Sequence, residues 1–169
     1  MIWKHYFAFV SSRLDYSTTW LDYCNSLLAG QPSCQLDRLQ LVQNAAARMY
    51  SGLARRSSVT PVLRDDLHWL KIPQRISYKL CTIVYRCLNG TAPEYLTNFC
   101  QRLTDQHSRV SRNRSAAAGN LSLPRTRLKT YGQRTFAVSG PTAWNSLPVY
   151  LKSENSFSIF KVSAKNSFI

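Results

Sequence analysis

One stretch of the chain, residues 73–90, constrains the fold more than any other. Pro73 suits the first position of a helix, and Gly90 can close one in the left-handed conformation. Between them, large apolar residues recur at steps of three and four and so share one stripe of a helix: Ile76, Leu80, Ile83, Val84, Cys87 and Leu88. Burial of each such side chain contributes about 1.5–3 kcal/mol, so this predicted helix can anchor a core. Three cations lie off the stripe and are expected in water: Arg75, Lys79 and Arg86.

Weaker patterns of the same kind predict a mainly α fold, a small helical bundle with a basic loop and a minor β element near the C-terminus. Helices are predicted near 5–28, 34–53, 61–67, 73–89 and 93–103, with a short terminal helix after residue 156. A strand is predicted over 131–139, followed by a turn at Gly140-Pro141. The helix at 34–53 is expected to bury the stripe Leu36, Leu39, Val42, Ala46, Met49, Tyr50 and Leu53.

The composition divides the chain into three regions. Residues 1–103 form a helical region, 104–130 a loop rich in serine and basic residues, and 131–169 a C-terminal extension. The total of 169 residues corresponds to about one domain.

The charge is strongly positive, with 22 Lys and Arg against 8 Asp and Glu and a net charge of +14. Such a balance favours a polyanionic partner, either nucleic acid or an acidic membrane surface. No stretch approaches the roughly 20 apolar residues that a membrane span needs, and no secretory signal is evident. We therefore expect an intracellular protein of the nucleus or cytoplasm that is not inserted in a membrane.

The basic loop and the residues after it supply the predicted nucleic-acid contacts. In an extended chain, alternate residues face the same side, so Arg112 would align with Arg114, and Arg125 with Arg127 and Lys129. Cations aligned in this way can follow a phosphate backbone. The full set of predicted contacts is Arg109, Arg112, Arg114, Arg125, Arg127, Lys129 and Arg134. The alternative is a solvated, flexible loop, and both hold if the loop orders on binding.

The residues that usually carry catalysis are not arranged for it. The sequence contains none of the glycine-rich phosphate loops, zinc-protease motifs or nucleophile elbows, and its three histidines are scattered. Asp65 and Asp66 are adjacent and so would point in different directions on a helix. The five cysteines form no CxxC pair, which favours reduced, buried thiols. We expect no catalytic residues, no metal site and no cofactor.

A short sequence repeat lies near the N-terminus: Leu14-Asp15-Tyr16 is repeated seven residues later as Leu21-Asp22-Tyr23. Seven residues are close to two helical turns, so either copy could present the same face.

Several blocks, in order, resemble the C-terminal part of a non-LTR (LINE-type) retrotransposon reverse transcriptase of the jockey-like and chicken-repeat-like group. They cover nearly the whole chain: SRLDY at 12–16, LDYCNSLL at 21–28, LDRLQLVQNAAARM at 36–49, the run at 60–96, LPRTR at 123–127 and YGQRTFAVSGPTAWNSLP at 131–148. One departure is the insertion at 17–23, which duplicates the Leu-Asp-Tyr block.

The resemblance implies a helical thumb and C-terminal extension that lie against a template–primer duplex in an RNA-directed DNA polymerase. The family's catalytic aspartates, on an aromatic-Ala-Asp-Asp motif, and its endonuclease have no counterpart here. We therefore expect a non-catalytic fragment of a transposable element that binds RNA or an RNA–DNA hybrid. Two alternatives stay open: a helical protein-interaction module, which could self-associate through exposed apolar helix faces, or a translated relic without function.

Overall fold

The computed structural model describes residues 25–105 and 118–168, and this part of the chain is mainly helical, as predicted. Its α-helices are α1 (Ser33–Ser51), α2 (Ile72–Leu88), α3 (Glu94–Thr97), α4 (Lys129–Gly132), α5 (Phe136–Asn145), α6 (Val149–Lys152) and α7 (Phe157–Phe168). The helix predicted at 5–28 lies outside the described residues except for its end, a single 3-10 turn at Asn25–Leu28. A second such turn spans Leu103–Asp105.

Helix α2 occupies the centre, which confirms the predicted central helix. It packs against α1, α3, α5, α7 and the turn at Asn25–Leu28. Four residues of the predicted stripe are buried, and Cys81 and Tyr85 widen the buried face. The largest fully buried side chains around it come from the C-terminal half of the chain: Leu121, Trp144, Leu151 and Phe160. The core is therefore assembled between the central helix and the residues after 118.

The prediction that Arg75 lies in water is wrong, because its side chain is 8% exposed. Its Nε donates a hydrogen bond to the Leu70 carbonyl at 3.3 Å, and its guanidinium lies 5.9 Å from the centre of the Trp69 ring. Arg75 is in the first turn of α2, where its side chain can reach back over the segment that enters the helix. Arg86 is exposed, as predicted.

Helix α1 forms within two residues of the predicted bounds, but it turns a different face inward. Val42 and Met49, predicted to be buried, are 63% and 81% exposed, while Gln43 and Ala47 are buried. The Gln43 amide donates to the Leu70 carbonyl at 2.9 Å. The buried Gln43 side chain is thus hydrogen-bonded to the backbone of a distant segment, and this bond offsets the cost of burying a polar group.

Gln40, one turn before Gln43, makes the second polar contact between α1 and the start of α2. Its Oε1 accepts a hydrogen bond from the backbone N–H of Ile72 at 2.9 Å. The N–H groups of a helix's first turn have no intrahelical partner, so this contact caps α2 from outside the helix. The pair of glutamines explains why α1 is rotated from the face that its apolar pattern predicts.

Of the helix predicted at 61–67, the shorter segment Val62–Asp66 is helical and has π geometry. The Leu67 N–H donates a hydrogen bond to the Val62 carbonyl at 2.9 Å. The helix predicted at 93–103 is shorter than expected, because only Glu94–Thr97 is α-helical.

The strand predicted over 131–139 is wrong, since that segment belongs to α4 and α5. Gly140 and Pro141, predicted as a turn, lie within α5. A Cβ at Gly140 would sit 3.2 Å from the Val84 side chain, so glycine lets α5 pack closely on α2. This packing outweighs the local alternation of Phe136 and Val138. Among the described residues, β-type pairing is limited to one isolated antiparallel bridge, between Arg102 and Leu121.

Candidate nucleic-acid interface

The positive charge is concentrated in one long run of the sequence. Residues 106–153 contain eight Lys and Arg and no Asp or Glu. This run therefore carries a net charge of +8 in the sequence, which favours a polyanionic partner.

Within this run, Arg125 and Arg127 lie in the non-helical stretch 122–128, and both side chains are exposed. Lys129 follows directly as the first residue of α4. Arg109, Arg112 and Arg114 lie outside the described residues. Of the predicted contacts, the described residues therefore include Arg125, Arg127 and Lys129, which follow one another at steps of two along the chain, and Arg134.

The amide of Asn145 fastens the start of this stretch to the core. The Leu121 N–H donates to Asn145 Oδ1 at 2.8 Å, and Asn145 Nδ2 donates to the Leu121 carbonyl at 3.0 Å. The Leu121 side chain is only 1% exposed. Beside it, the Trp144 Nε1 donates to the Gly119 carbonyl at 3.1 Å. Two side chains of α5, Asn145 and Trp144, thus hold the backbone at Leu121 and Gly119, where the basic stretch begins.

Further hydrogen bonds hold the residues next to Leu121 to two other segments of the chain. The Ser122 N–H donates to the Gln101 carbonyl at 2.9 Å, across the bridge between Arg102 and Leu121. The Lys152 ammonium donates to Asn120 Oδ1 at 2.8 Å and to the Asn145 carbonyl at 3.0 Å. Burial lowers the pKa of Lys152, whose contacts are internal. This cation therefore supports the stretch instead of extending its charged surface.

The other end of the stretch folds back on α4. A Cβ at Gly132 would lie 2.6 Å from the Thr126 side chain, so this close approach requires glycine. The residues on either side of Thr126 are Arg125 and Arg127, and both are exposed. The two arginines thus flank a residue that packs against α4, and their own side chains face water.

Arg134 occupies a different setting from the other predicted contacts. Its Cγ would lie 3.0 Å from a Cβ at Gly30, whose φ is +70°, and its guanidinium lies 5.8 Å from the centre of the Tyr131 ring. The Nε of Arg134 is buried without a hydrogen-bond partner. Arg134 also lines a groove of about 690 Å³ between this point and the first half of α1. The structure therefore separates it from the exposed stretch.

Arg38 is a cation that the sequence analysis did not select. It is exposed on α1 and lines the same groove as Arg134. The sequence neighbours of Arg38 do not distinguish it from the other basic residues. Arg134, the other cation of the groove, lies 96 positions further along the chain. Only the fold brings the two arginines to one groove.

Three of the four cysteines among the described residues are buried in the structure, and Cys24 lies outside the described residues. Cys81, Cys87 and Cys100 are buried, as predicted, whereas Cys34 is exposed, which corrects the prediction of buried thiols at that position. Burial raises the pKa of Cys81 and of Cys100 to about 12, so both are protonated at neutral pH. A protonated thiol is neither the nucleophile nor the metal ligand that a thiolate is.

Acidic and metal-binding groups are sparse in the described part of the chain. Asp65 and Asp66 are both exposed, and Asp65 forms an ion pair with Arg64 at 3.3 Å. Within residues 25–105 and 118–168, no three His, Cys, Asp or Glu side chains come close enough to hold a metal ion. In the same ranges, no helix has the length and apolar character needed to cross a bilayer.

No protein-family model matches this sequence, and comparisons with curated proteins and with solved structures find no match either. The candidate interface described above is therefore defined by its own residues: an exposed pair of arginines on a backbone segment that is hydrogen-bonded to the core at Leu121 and approaches α4 at Thr126.

Proposed function

We propose that this chain is a non-catalytic, thumb-like segment of a non-LTR retrotransposon reverse transcriptase, and that it binds RNA or an RNA–DNA hybrid through its basic surface. The observation that carries the proposal is the exposure of Arg125 and Arg127 on the stretch 122–128, whose beginning is held at Leu121, inside a run of 48 residues without an acid. The order of sequence blocks that resemble this enzyme family supports the same assignment.

The fixed backbone makes the stretch suited to phosphate contacts. Because the Asn145 amide holds the backbone at Leu121, binding has less of the backbone to order, and less conformational entropy is lost. Arginine side chains that meet phosphate oxygens give charge-assisted hydrogen bonds without selecting a base sequence. The expected ligand is therefore the sugar–phosphate backbone of a duplex, independent of its sequence.

The proposal assigns the chemistry to another part of the parent enzyme. The aspartates that hold magnesium in this family belong to a motif that the sequence lacks, so this segment would position a duplex and leave polymerisation to a palm domain. An intracellular location, in the nucleus or cytoplasm, belongs to the same proposal.

Replacing both exposed arginines tests the proposal directly. In the double variant Arg125→Ala/Arg127→Ala, the dependence of log affinity on log salt for a labelled RNA–DNA hybrid should become shallower by about 2 units. Each lost phosphate contact releases about one counterion fewer. Fluorescence anisotropy across a salt series gives both slopes.

A matched variant keeps the test specific. Arg55→Ala/Arg56→Ala removes the same charge from two exposed arginines just beyond α1, and its slope should equal that of the wild type. If the two double variants change the slope equally, the contact is not localised at 122–128. If neither changes it, the proposed interface is wrong.

One observation favours a second candidate, a protein-interaction module. Helix α1 exposes Leu41, Val42 and Met49 at 66%, 63% and 81%; Val42 and Met49 are seven residues apart and share one face, and Leu41 lies at its edge. An apolar patch of this kind is typical of a surface that binds another protein or a second copy of the chain. This candidate predicts oligomers that form with rising protein concentration and do not weaken with salt, which light scattering after size-exclusion chromatography would detect.

A further inference from the structure

Tyr131 is an exposed aromatic residue beside the basic stretch, and the phosphate contacts proposed above do not use it. It lies in α4, and its side chain is 71% exposed. Leu128, the residue before α4, is 65% exposed. Proteins that bind single-stranded nucleic acid combine cations for the phosphates with aromatic rings on which bases stack. Tyr131 is therefore a candidate for a contact with a base.

The approach of the basic stretch to α4 brings this ring close to the exposed arginines. A Cβ at Gly132 would lie 2.6 Å from the Thr126 side chain, and Tyr131 is the residue before Gly132. Arg125 and Arg127 flank Thr126 in the same way. Since consecutive Cα atoms are 3.8 Å apart, the Cα of Tyr131 lies within about 13 Å of the Cα of either arginine. One strand of nucleic acid can therefore meet the arginines with its phosphates and the ring with a base.

Arg134 supports the Tyr131 ring from one side. Its guanidinium lies over the ring, 5.8 Å from the ring centre, and is attracted by the electrons of the aromatic face. The Arg134 stem is itself packed at Gly30, where a Cβ would lie 3.0 Å from the arginine Cγ. Because the Tyr131 side chain is 71% exposed despite this neighbour, its opposite face is open to water. A ring that is supported on one face and open on the other loses little conformational freedom when a ligand binds.

The charge around the ring favours a nucleobase over the side chain of a protein partner. The run 106–153 contains no Asp or Glu, and every base arrives attached to a phosphate that the neighbouring arginines attract. We propose that Tyr131 stacks an unpaired base of the nucleic acid whose phosphates meet Arg125 and Arg127.

This inference rests on the proposed function and narrows its ligand. The faces of bases inside a duplex are covered by their neighbours, and taking a base out of the stack is costly. A base beyond the end of a duplex is already free to stack on a protein ring. The surface therefore prefers a hybrid that continues into a single strand over a blunt hybrid.

The test compares two ligands of the full chain by fluorescence anisotropy at one salt concentration. One is a blunt RNA–DNA hybrid, and the other is the same hybrid with a single-stranded RNA extension of about six nucleotides. The measured quantity is the ratio of the two affinities, extended over blunt. We expect Tyr131→Ala to lower this ratio at least about five-fold, the effect of losing one stacked base. Tyr131→Phe keeps the ring and should keep the ratio.

The Tyr131→Ala variant should leave the binding of the blunt hybrid unchanged. Tyrosine carries no charge at neutral pH, so its loss releases no counterion and leaves the salt dependence of that binding as in the wild type. The proposed function is measured by the blunt hybrid and the further inference by the ratio, so that each can fail separately.

Two controls separate stacking from charge and from general loss of a tyrosine. An extension made of abasic sugar–phosphate units has the same charges without bases, and Tyr131→Ala should not weaken its binding. Tyr95→Ala removes a side chain that is 67% exposed and follows the acid Glu94, and it should leave the ratio unchanged.

The inference is overturned, with the proposed function intact, if Tyr131→Ala weakens the blunt and extended hybrids equally or leaves the ratio unchanged. An equal loss of the ratio in Tyr95→Ala would also overturn it. So would oligomers of the wild type that dissociate in Tyr131→Ala, because a second copy of the chain would then cover the ring. If a folded wild-type chain binds neither hybrid at low salt, the proposed function fails and this inference fails with it.

Discussion

Replacing Trp144 with alanine is expected to lower the free energy of unfolding by about 3–5 kcal/mol, the range for deletion of a large buried aromatic side chain. Trp144 is 2% exposed, and its ring centre lies 5.9 Å from that of Phe160 on α7. Its Nε1 also holds the Gly119 carbonyl. The loss would remove a large part of the roughly 5–15 kcal/mol that stabilises a typical domain. Urea unfolding followed by circular dichroism measures it.

The control for this prediction is Tyr150→Ala, which removes an aromatic ring that is 64% exposed. Its effect should stay within about 0.5 kcal/mol, as is usual for surface substitutions. A Trp144→Phe variant keeps most of the ring and loses the hydrogen bond, so it should fall between the two. Similar losses for Trp144→Ala and Tyr150→Ala would contradict the placement of the core between α2, α5 and α7.

The second large effect is expected from Asn145→Leu, which removes the side chain that pairs with both backbone groups of Leu121. Leucine has nearly the same size but can neither donate nor accept. Leaving a buried N–H and a buried carbonyl unsatisfied costs about 2–4 kcal/mol for the two groups together. The same unfolding experiment measures the loss, and cleavage by trypsin after Arg125 and Arg127 should become several-fold faster as the stretch is released.

Asn98→Leu is the matched control, because it makes the same chemical change at an exposed asparagine. It should leave both stability and the rate of cleavage after Arg125 and Arg127 close to the wild type. If Asn145→Leu destabilises the fold without changing that rate, the basic stretch is held by contacts other than the Asn145 amide. The proposed phosphate-binding stretch would then not be held by α5.

The central helix was predictable because its information is local. Apolar residues at steps of three and four, a proline at the start and a glycine at the end define α2 without reference to other elements. The same pattern placed α1 within two residues of its bounds. It failed to give the buried face of α1, since Gln40 and Gln43 point inward to bond with Ile72 and Leu70, about 30 positions along the chain.

In the C-terminal region, the local sequence failed to predict even the type of secondary structure. Local alternation at Phe136 and Val138 and the pair Gly140-Pro141 indicate a strand and a turn. The structure has a helix there, because Gly140 allows α5 to approach Val84 on α2. The packing of a residue against a distant helix does not follow from the residues beside it in the sequence. A prediction from the sequence alone could therefore not include this contact.

The predicted nucleic-acid contacts also differ in how far the local sequence reveals their surroundings. The exposure of Arg125 and Arg127 follows from a polar, basic stretch and was predictable. The groove that holds Arg134 with Arg38 was not, because it depends on how α1 lies relative to the segment between α4 and α5. The fastening of Leu121 by Asn145 was also hidden, since an asparagine in a helical segment gives no local sign of a long-range partner.

The most direct test of the central proposal is the binding of the full chain to a labelled RNA–DNA hybrid across a salt series. We expect log affinity to fall linearly with log salt, with a slope of at least about 2 from the two exposed arginines alone. We also expect hybrids of unrelated sequence to bind equally well. A folded sample that does not bind at low salt, or that binds with no dependence on salt, would contradict the proposal and favour the protein-interaction surface of α1.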